Sequence, residues 1–512
     1  MRYLSENKRE DMRMKKRTAA RSMAALMGAA MVLTACGGGN TTAPTTGASS
    51  GGETQTASES AESGKITKTD IVVGQASDIV TLDPAGQQDT TSGVLMKHAY
   101  STLLDVDNEG KVVPDLAESY EMKSDTEYVF KLREDACFWD GTPVTAQDVK
   151  FSLDRAKGMP KTKSNTSKIE EVTVNGDHEV TIKLTEPYAA FKTIVTQHNL
   201  SILSEKAVTE AGDSYGDVDN LLGSGPFKVT EWVPNDHYTL VRNDNYWGEM
   251  PIATSITCRV IPEGSARTIA LEAGEIDVVW SVDPTDCANV ESNPDVKLLS
   301  QPSTGIDYVG MNTQKEKFSD KRVRQAINYA LDKQAFVDTI IEGRGLVANS
   351  YINAAIPGWT DEVEAYPYDP EKAKELLAEA GYPDGFECSI FVNGDLRTRS
   401  AQILQAQLAD VGIKVDISTY EWGALLDTLN AGEHEMFLLG WSNTSFDPDG
   451  STYQLFYSGN HGATGNRAFF SNDKVDELIL SAQRESEESK RMELYKELQF
   501  VLHEESPWCP LY

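Results

Sequence analysis

Charged side chains that could act together in chemistry occur in two short segments of the sequence. Asp447 and Asp449 in SFDPDG form a carboxylate pair of the kind used in general acid–base catalysis, but aspartates in a Pro/Gly turn commonly serve the turn itself. Arg397 and Arg399 in NGDLRTRS could grip a carboxylate or could belong to a solvated helix start. No G-x-S-x-G elbow between a strand and a helix, no H-E-x-x-H and no P-loop is present. The sequence therefore does not indicate an enzyme.

The cysteines and histidines are scattered and lack the spacing of a metal site. No CxxC pair occurs, and none of the seven histidines stands close to a cysteine in a ligand-like pattern. We therefore expect neither a metal nor another cofactor. One pair of cysteines could form a disulfide, but the sequence does not identify the pair. Apart from Cys36, the cysteines are Cys137, Cys258, Cys287, Cys388 and Cys509.

Cys36 stands where a short apolar stretch ends. A basic segment precedes the apolar residues 23–35, which are too few to span a bilayer. Thr34 and Ala35 before Cys36 resemble the lipobox of bacterial lipoproteins, in which the signal peptide is cut before a lipid-carrying cysteine. We therefore expect 1–35 to be a signal peptide and Cys36 to be a membrane anchor at the extracytoplasmic face. The alternative is an ordinary cleaved signal peptide with an incidental cysteine. Translation could start at Met12 or Met14 instead of Met1.

Residues 36–65 are rich in Gly, Ser and Thr and contain no aromatic or large aliphatic side chain. Such a segment buries too little apolar surface to offset its ordering entropy, so we expect a flexible tether. The formal net charge of the chain is -32, and the segment 1–35 is basic, so the remainder is more acidic still. An acidic surface repels phosphate backbones, which excludes nucleic acid as a partner and disfavours direct adhesion to anionic lipid.

The body of the chain alternates strand-like and helix-like segments. A sequence of 512 residues is too long for a single core, so we expect two or three domains. Alternating apolar residues predict strands at HEVTIKLTE and IKVDIST. DPEKAKELLAEAGY predicts a helix capped by Asp369 and ended by Gly381, and SDKRVRQAINYALDKQAFVDTIIEG predicts a helical stripe that begins at Ser319 or Asp320 and stops at Gly343. The fold class is therefore α/β.

A series of motifs along the body resembles one protein family. The motifs, in chain order, are VVPDLAESYEMKSDTEYVFKLREDACFWDGTPVTAQDVKFSLDRA, GSGPFKVTEWV, RNDNYWG, LEAGEIDVV, FSDKRVRQAINYALDK, YDPEKAKELLAEAGYPDGF, SNDKVDELI and SPWCPLY. Together they resemble the family 5 extracellular solute-binding proteins of ABC importers, which include dipeptide-, oligopeptide-, glutathione- and nickel-binding members. The resemblance runs from about residue 71 to residue 512.

The resemblance implies a two-lobed, periplasmic-binding-protein-like clamp of type II that closes on its ligand. It places the first lobe at residues 66–303, with an inserted subdomain near 102–195, and the second lobe at 304–512. Family members continue beyond the PLY motif and return to the first lobe, whereas this sequence stops at Tyr512. The resemblance thus implies either a C-terminally truncated sequence or a first lobe with an exposed sheet edge.

The segment YEWGALLDTLNAGEHEMFLLGWSNTSFDPDG carries the ligand contacts that the resemblance implies. Trp422 and Trp441 are similar in position to two cleft tryptophans of oligopeptide-binding members, although both could instead be core residues. Where peptide-binding members carry an aspartate for the ligand ammonium, this sequence has Thr444, and a hydroxyl does not replace a charge-assisted hydrogen bond. Asp447 is then the nearest acid to take that role. The intervening sequence, with Ser442 and Asn443, looks closer to the glutathione and oligopeptide branch.

The same resemblance implies further ligand contacts and the partners of the protein. Backbone groups on both sides of the cleft could hold an extended peptide as an added strand. The implied function is a monomeric receptor that hands a peptide-like solute to a membrane permease and its ATPase. The alternative is a signalling or surface lipoprotein that presents the bound peptide to a sensor. The additional site residues are Gln88, Asp89 and Thr90 after the LDP motif, Tyr308 in GIDYVGMN, and the pair Arg397 and Arg399.

Overall fold

The structure of the protein, a computed structural model, describes residues 68–512. The predicted signal peptide 1–35, the anchor Cys36 and the tether 36–65 lie outside the described residues. Within 68–512, no helix is both long and apolar enough to cross a membrane. Every cysteine in this part of the chain has a free thiol, so the disulfide that the sequence left open is not formed in the structure.

The strands of residues 68–512 form two five-stranded sheets, one four-stranded sheet and a two-stranded hairpin. The strands are β1 (Asp70–Gln75), β2 (Leu104–Val106), β3 (Val112–Pro114), β4 (Ala117–Ser124), β5 (Glu127–Leu132), β6 (Ile169–Gly176), β7 (Glu179–Leu184), β8 (Phe227–Val233), β9 (His237–Arg242), β10 (Ser255–Val260), β11 (Val278–Val279), β12 (Gly305–Met311), β13 (Glu387–Val392), β14 (Lys414–Thr419), β15 (Met436–Ser442) and β16 (Trp508–Pro510).

The helices flank these sheets. They are α1 (Thr90–Ala99), α2 (Ala146–Lys157), α3 (Lys163–Thr166), α4 (Phe191–Ile194), α5 (Glu205–Ala211), α6 (Gly264–Glu272), α7 (Cys287–Ser292), α8 (Glu316–Ser319), α9 (Lys321–Ala330), α10 (Lys333–Ile340), α11 (Pro370–Glu379), α12 (Gly394–Ala409), α13 (Trp422–Asn430), α14 (Asp449–Phe456), α15 (Asp473–Arg484) and α16 (Glu488–Glu505). Single 3-10 turns lie at Pro84–Gly86, His198–Leu200, Gly212–Ser214, Val218–Asn220, Pro284–Asp286, Ser458–Asn460 and Gly462–Thr464.

Each sheet takes its strands from particular parts of the chain. The first sheet has the order β11-β1-β10-β9-β8 and mixes parallel and antiparallel pairs, and the second has the order β14-β13-β15-β12-β16. The four-stranded sheet, β4-β5-β7-β6, is antiparallel and falls between β1 and β8 in the chain, where an inserted subdomain would stand. The lobe boundaries 66–303, 102–195 and 304–512 stay predictions.

The strand and helix patterns of the sequence explain most of the core. Val180, Ile182 and Leu184 alternate along β7 and are buried, as the period-two pattern predicts. Helix α11 begins at Pro370, and the side chain of Asp369 is its N-cap. The residue that follows the C-cap is Gly381, which has φ +93°. This helix prediction is therefore confirmed.

The longer predicted stripe differs from the structure in one respect. Asp320 caps α9, and the apolar stripe residues are buried as expected. The stripe nevertheless breaks into two helices, because Leu331 adopts an extended conformation and Asp332 accepts a hydrogen bond from the backbone of Ala335 as a new N-cap. The second helix, α10, ends just before Gly343, which has φ +72°.

Candidate functional site

A cavity of about 1230 Å³ lies between the first and the second sheet. Its wall on the first sheet includes Gln75 and Tyr238, and helix α1 contributes Thr90. The opposite wall is formed by the ends of β12 and β15 and by the starts of α12 and α13. The cavity therefore draws residues from both five-stranded sheets, as a ligand cleft between two lobes requires.

The two predicted tryptophans both line this cavity. Trp422 opens helix α13, and its buried indole Nε1 has no hydrogen-bond partner among residues 68–512. Trp441 lies on β15, and its Nε1 donates a hydrogen bond of 3.1 Å to the carbonyl oxygen of Gly450. Because a buried N–H normally has a partner, Trp422 offers a free donor to a ligand, while Trp441 offers only its ring. Ser442, which follows Trp441, also lines the cavity.

Arg397 reaches the cavity as an ion pair rather than as a free cation. Its Nη2 lies 3.3 Å from Oδ1 of Asp307, which lines the cavity as well. Burial raises the pKa of Asp307, and Arg397 opposes that rise. Gly440 stands opposite Asp307 in the strand register, and a Cβ at that position would lie 3.1 Å from both side chains. The pair thus fills the space that a side chain at this position would need.

Arg399, the second predicted arginine, does not line the cavity. Its Nη2 contacts Oδ2 of Asp283 at 2.5 Å and so joins the start of α12 to the 3-10 turn at Pro284–Asp286. Both arginines therefore have an acid partner within the protein.

The loop after β15 faces the protein rather than the cavity. Asn443 is buried and donates to the carbonyl oxygen of Asp447 and to Ser451. Thr444 donates a hydrogen bond of 3.0 Å to Oε1 of Gln197. These two residues shape the loop and attach it to the chain that follows the four-stranded sheet.

The structure corrects the expectation for Asp447. Its carboxylate forms a buried ion pair with Arg491 of α16 at 2.5 Å, and its Oδ1 accepts from the backbone N–H of Asp449. Asp447 does not line the cavity. A carboxylate already neutralised by a buried guanidinium is unavailable to a ligand ammonium, so its place is structural.

Of the three residues predicted after the LDP motif, Gln88, Asp89 and Thr90, only Thr90 lines the cavity. Gln88 donates to Oε1 of Gln454 at 3.2 Å and to the carbonyl oxygen of Thr464 at 3.4 Å. Asp89 caps helix α1 through a hydrogen bond of 2.9 Å from the backbone of Ser92. Gln88 therefore contacts the part of the chain that carries the second sheet.

Tyr308 belongs to the core and does not line the cavity. It is buried on β12 and stacks on Trp508, with ring centroids 3.4 Å apart and planes 9° apart. Burial raises the pKa of Tyr308 above its ordinary value. From this position Tyr308 does not contact a ligand in the cavity directly.

Contacts between residues 165–197 and residues 444–484, which we call the seam, close one side of the interface between the sheets. The hydroxyl of Tyr188 donates to Oδ2 of Asp449 at 2.6 Å, and the backbone N–H of Ala189 donates to the carbonyl oxygen of Gln483 at 2.8 Å. Further seam contacts are Ser167 with Tyr453, Asn165 with Gln454, and Glu186 with Arg484. These contacts join the chain around the four-stranded sheet to the chain that carries the second sheet.

The sequence analysis did not single out two basic residues, Arg467 and Lys161. Arg467 is only 6% exposed, and its Nε donates to Oδ1 of Asn430 at 3.0 Å. Lys161 is partly buried, and burial lowers its pKa. Arg467 stands in a Gly/Asn-rich stretch that is typical of an exposed turn, and Lys161 is 306 positions away from it, so no pattern in the sequence links them.

The sequence profile of the bacterial extracellular solute-binding proteins, family 5 (middle part), matches residues 111–463. The chain belongs to this family. The glutathione-binding protein GsiB of Escherichia coli (strain K12) is 32% identical over 461 residues, which cover 86% of this chain and 88% of GsiB. The expected family is thus confirmed, and this protein is a solute-binding protein of the extracytoplasmic space, not an enzyme.

Solved structures agree with the fold of this solute-binding protein. The periplasmic binding protein DppA of Helicobacter pylori, in complex with the peptide STSA, superposes with a TM-score of 0.83 at 30% identity and covers 86% of this chain and 91% of its own. The oligopeptide-binding protein AppA of Bacillus subtilis, in complex with a nonapeptide, gives 0.80 at 26% identity, with 86% and 92% covered. The predicted α/β, periplasmic-binding-protein-like fold is confirmed.

Proposed function

We propose that the protein captures a peptide-like solute in the cavity between its sheets and delivers it to the permease and ATPase of an ABC importer. The observation that carries this proposal is the cavity wall formed by Trp422 and Trp441, with a free indole N–H on the first and a bare ring on the second. Amphipathic indoles of this kind bind peptide side chains at low entropic cost. The names of the relatives, which bind glutathione or peptides, point the same way.

The size of the cavity favours a ligand of several residues. Pockets for ordinary small molecules are about 300–1,000 Å³, and this cavity has about 1230 Å³. Its walls also offer both charges of the Arg397–Asp307 pair, together with Thr90 and Ser442 as hydroxyl partners. An extended peptide bound mainly through its backbone would use such mixed polar groups without requiring one particular side chain.

Closure of the clamp supplies the signal to the permease. We infer that residues 66–303, with the subdomain 102–195, form one lobe and residues 304–512 the other. The Tyr188–Asp449 and Gln88–Gln454 hydrogen bonds then form only in the closed state. A ligand favours closure to the extent that it binds the closed state better than the open one.

We further propose that Cys36 carries the lipid that holds this monomeric receptor at the outer face of the cell membrane. Two or more acyl chains make such an anchor durable, since each buried CH₂ contributes about 0.8 kcal/mol. A Cys36→Ala variant should be released to the medium or accumulate as uncleaved precursor. Fatty-acid labelling of that variant at the unmodified level would contradict the anchor.

Titration with defined peptide pools tests the proposed function. Peptides of two to six residues should change the intrinsic tryptophan fluorescence of the unmodified protein, and a Trp441→Ala variant should bind every pool more weakly. Small-angle X-ray scattering should show a more compact particle with the bound pool than without it. A protein that binds no pool at any length would contradict peptide capture.

A further inference from the structure

The loop that joins β15 to α14 is held in one shape by its own hydrogen bonds. The side-chain amide of Asn443 donates to the carbonyl oxygen of Asp447 and to Oγ of Ser451, each at 2.7 Å. At the base of the loop, Nε1 of Trp441 donates to the carbonyl oxygen of Gly450. The indole of Trp441 is therefore attached to the far end of this segment, residues 442–450, which we call the β15 loop.

The backbone of Phe446, in the middle of the β15 loop, is left-handed, with φ +53°. A bulky residue rarely adopts this conformation, because its Cβ comes too close to the following carbonyl oxygen. Such a residue keeps the conformation only where the surrounding structure imposes it. The contacts of the Phe446 ring must therefore offset this strain.

The ring of Phe446 packs on Gly110, in the turn of the hairpin β2–β3. Gly110 has φ +80°, and an ideal Cβ there would lie 2.6 Å from Cδ1 and 2.7 Å from Cγ of the ring, closer than real atoms approach. The ring also packs against the buried cluster that contains Leu439 and Tyr453. Glycine is thus required at position 110 both by the backbone conformation of the turn and by the position of the ring.

Two polar contacts support the same arrangement. Thr444 donates to Gln197 at 3.0 Å, and Asp449, which follows the β15 loop, accepts from Tyr188. The hydrogen bond of the exposed Thr444 can be replaced by one to water, whereas the fit of an aromatic ring on a glycine cannot. The packing of Phe446 on Gly110 is therefore the contact that fixes the loop against the hairpin.

The β15 loop connects this contact to the cavity wall. Neither Phe446 nor Gly110 lines the cavity, but Trp441 and Ser442 do. The backbone of Trp441 is fixed by its pairing with Ile306 of β12. The orientation of its indole depends in addition on the carbonyl group at the end of the loop. A displacement of the loop therefore moves the indole and leaves the sheet intact.

We propose that Phe446 is a positioning residue, whose packing on Gly110 fixes the β15 loop and thereby orients the indole of Trp441 towards the solute. The proposal rests on the proposed function and adds a determinant of affinity that lies outside the cavity. A solute that stacks on the indole in turn stabilises the contact between the loop and the hairpin, because such coupling is reciprocal.

Two glycine variants test this role. Gly110→Ala places a methyl group where the ring lies. Gly141→Ala is the matched control, because Gly141 has φ +86° in another turn, and no atom of the described chain beyond its neighbours lies within 4 Å of an ideal Cβ there. Both variants strain a left-handed backbone, so both should lose stability. Only Gly110→Ala should bind peptide pools of two to six residues more weakly than the unmodified protein, by at least threefold in calorimetry.

The indole N–H of Trp441 gives a second readout that needs no solute. Its signal in the ¹⁵N spectrum is assigned by its loss in Trp441→Phe, and its exchange with solvent should be at least threefold faster in Gly110→Ala than in Gly141→Ala. Phe446→Ala, which removes the ring and adds no clash, should also accelerate this exchange. In the Gly110→Ala/Phe446→Ala double variant, the first substitution should have no further effect, because no ring remains for the methyl group to displace.

The two readouts separate the positioning role from the proposed function. Equal exchange rates or equal affinities of Gly110→Ala and Gly141→Ala, or an unaltered exchange rate in Phe446→Ala, overturn the positioning role and leave peptide capture standing. Binding of no pool by the unmodified protein contradicts the proposed function, and the exchange rates still decide whether Phe446 orients the indole. Circular dichroism checks that each variant is folded.

Discussion

The hydroxyl of Tyr188 donates a hydrogen bond of 2.6 Å to Oδ2 of Asp449, across 261 positions of the chain. Tyr188 follows the four-stranded sheet, whereas Asp449 opens helix α14 beside the second five-stranded sheet. Oδ1 of the same carboxylate accepts from Nε2 of Gln483, so the acid is held from both sides of the seam. Because both partners are buried, this bond can form only when the two parts of the chain are in contact.

Removing this hydrogen bond should weaken the closed state. A Tyr188→Phe variant leaves one oxygen of the buried Asp449 carboxylate without its donor, which typically costs about 1 to 3 kcal/mol. We expect ligand affinity, measured by calorimetry, to fall between about fivefold and a hundredfold. Tyr128→Phe is the matched control, because Tyr128 is buried in the four-stranded sheet that precedes Tyr188, and no side-chain hydrogen bond of its hydroxyl is found within 68–512. Equal affinities of the two variants would show that the bond does not hold the clamp closed.

The stability that the seam contributes should also depend on pH, because Asp449 titrates there. Burial and the neighbouring Asp447 raise the pKa of Asp449 to about 6, and hydrogen bonds from Tyr188 and Gln483 oppose that rise. The folded protein thus binds this proton more tightly than the unfolded chain, whose aspartates have pKa values near 4. The contribution of Asp449 to stability therefore decreases as pH rises from about 4 to about 6, by up to about 3 kcal/mol.

An Asp449→Asn variant isolates this effect from other titrating groups. The difference in free energy of unfolding between the variant and the unmodified protein, from urea titrations, should shift in favour of the variant as pH rises through that range. His198 and His434, whose pKa values burial lowers to about 4, change the pH profile of both proteins equally and cancel in the difference. A difference that stays constant from pH 4 to pH 7 would mean that Asp449 does not titrate in this window.

Asp447 should affect stability and not ligand choice. Its partner Arg491 is 4% exposed, so Asp447→Asn leaves that buried guanidinium with only the exposed Glu488, at 4.0 Å, as an acid partner among residues 68–512, at a cost of about 3 to 5 kcal/mol. Urea unfolding should show this loss. Affinities for a free peptide and for its N-acetylated form should change by the same factor. A selective loss of the free peptide would restore Asp447 as the ammonium partner.

Secondary structure could be predicted from the sequence wherever local patterns determine it. The N-cap Asp369, the first-turn Pro370 and Gly381 past the end of the helix fixed α11 without reference to the rest of the fold. The break between α9 and α10 was missed, because a continuous apolar stripe does not show that Asp332 competes as a second N-cap.

The site was predictable only in part, because its polar partners come from remote segments. The resemblance to oligopeptide-binding members singled out Trp422 and Trp441, and both lie on the cavity wall. Pairings such as Asp447 with Arg491 leave no mark in the local sequence, so the carboxylate looked free when it is not.

The two cavity tryptophans should differ in their roles. Trp422→Phe keeps most of the ring but removes the unpaired indole N–H, so ligand affinity should fall about five- to tenfold, with little change in melting temperature. Trp441→Phe instead removes the hydrogen bond to Gly450 and should lower the melting temperature with a smaller effect on affinity. Calorimetry and thermal unfolding of both variants measure the contrast. A larger affinity loss for Trp441→Phe than for Trp422→Phe would contradict this assignment.

Native mass spectrometry of the protein purified with its co-purified solute tests the central claim most directly. If the protein captures a peptide-like solute, the spectrum should show a complex with a bound molecule that fragments into amino-acid residues. A Trp422→Ala/Trp441→Ala double variant, shown by circular dichroism to be folded, should not retain that molecule. A bound solute without peptide bonds, or one retained in full by the double variant, would contradict peptide capture between these two tryptophans.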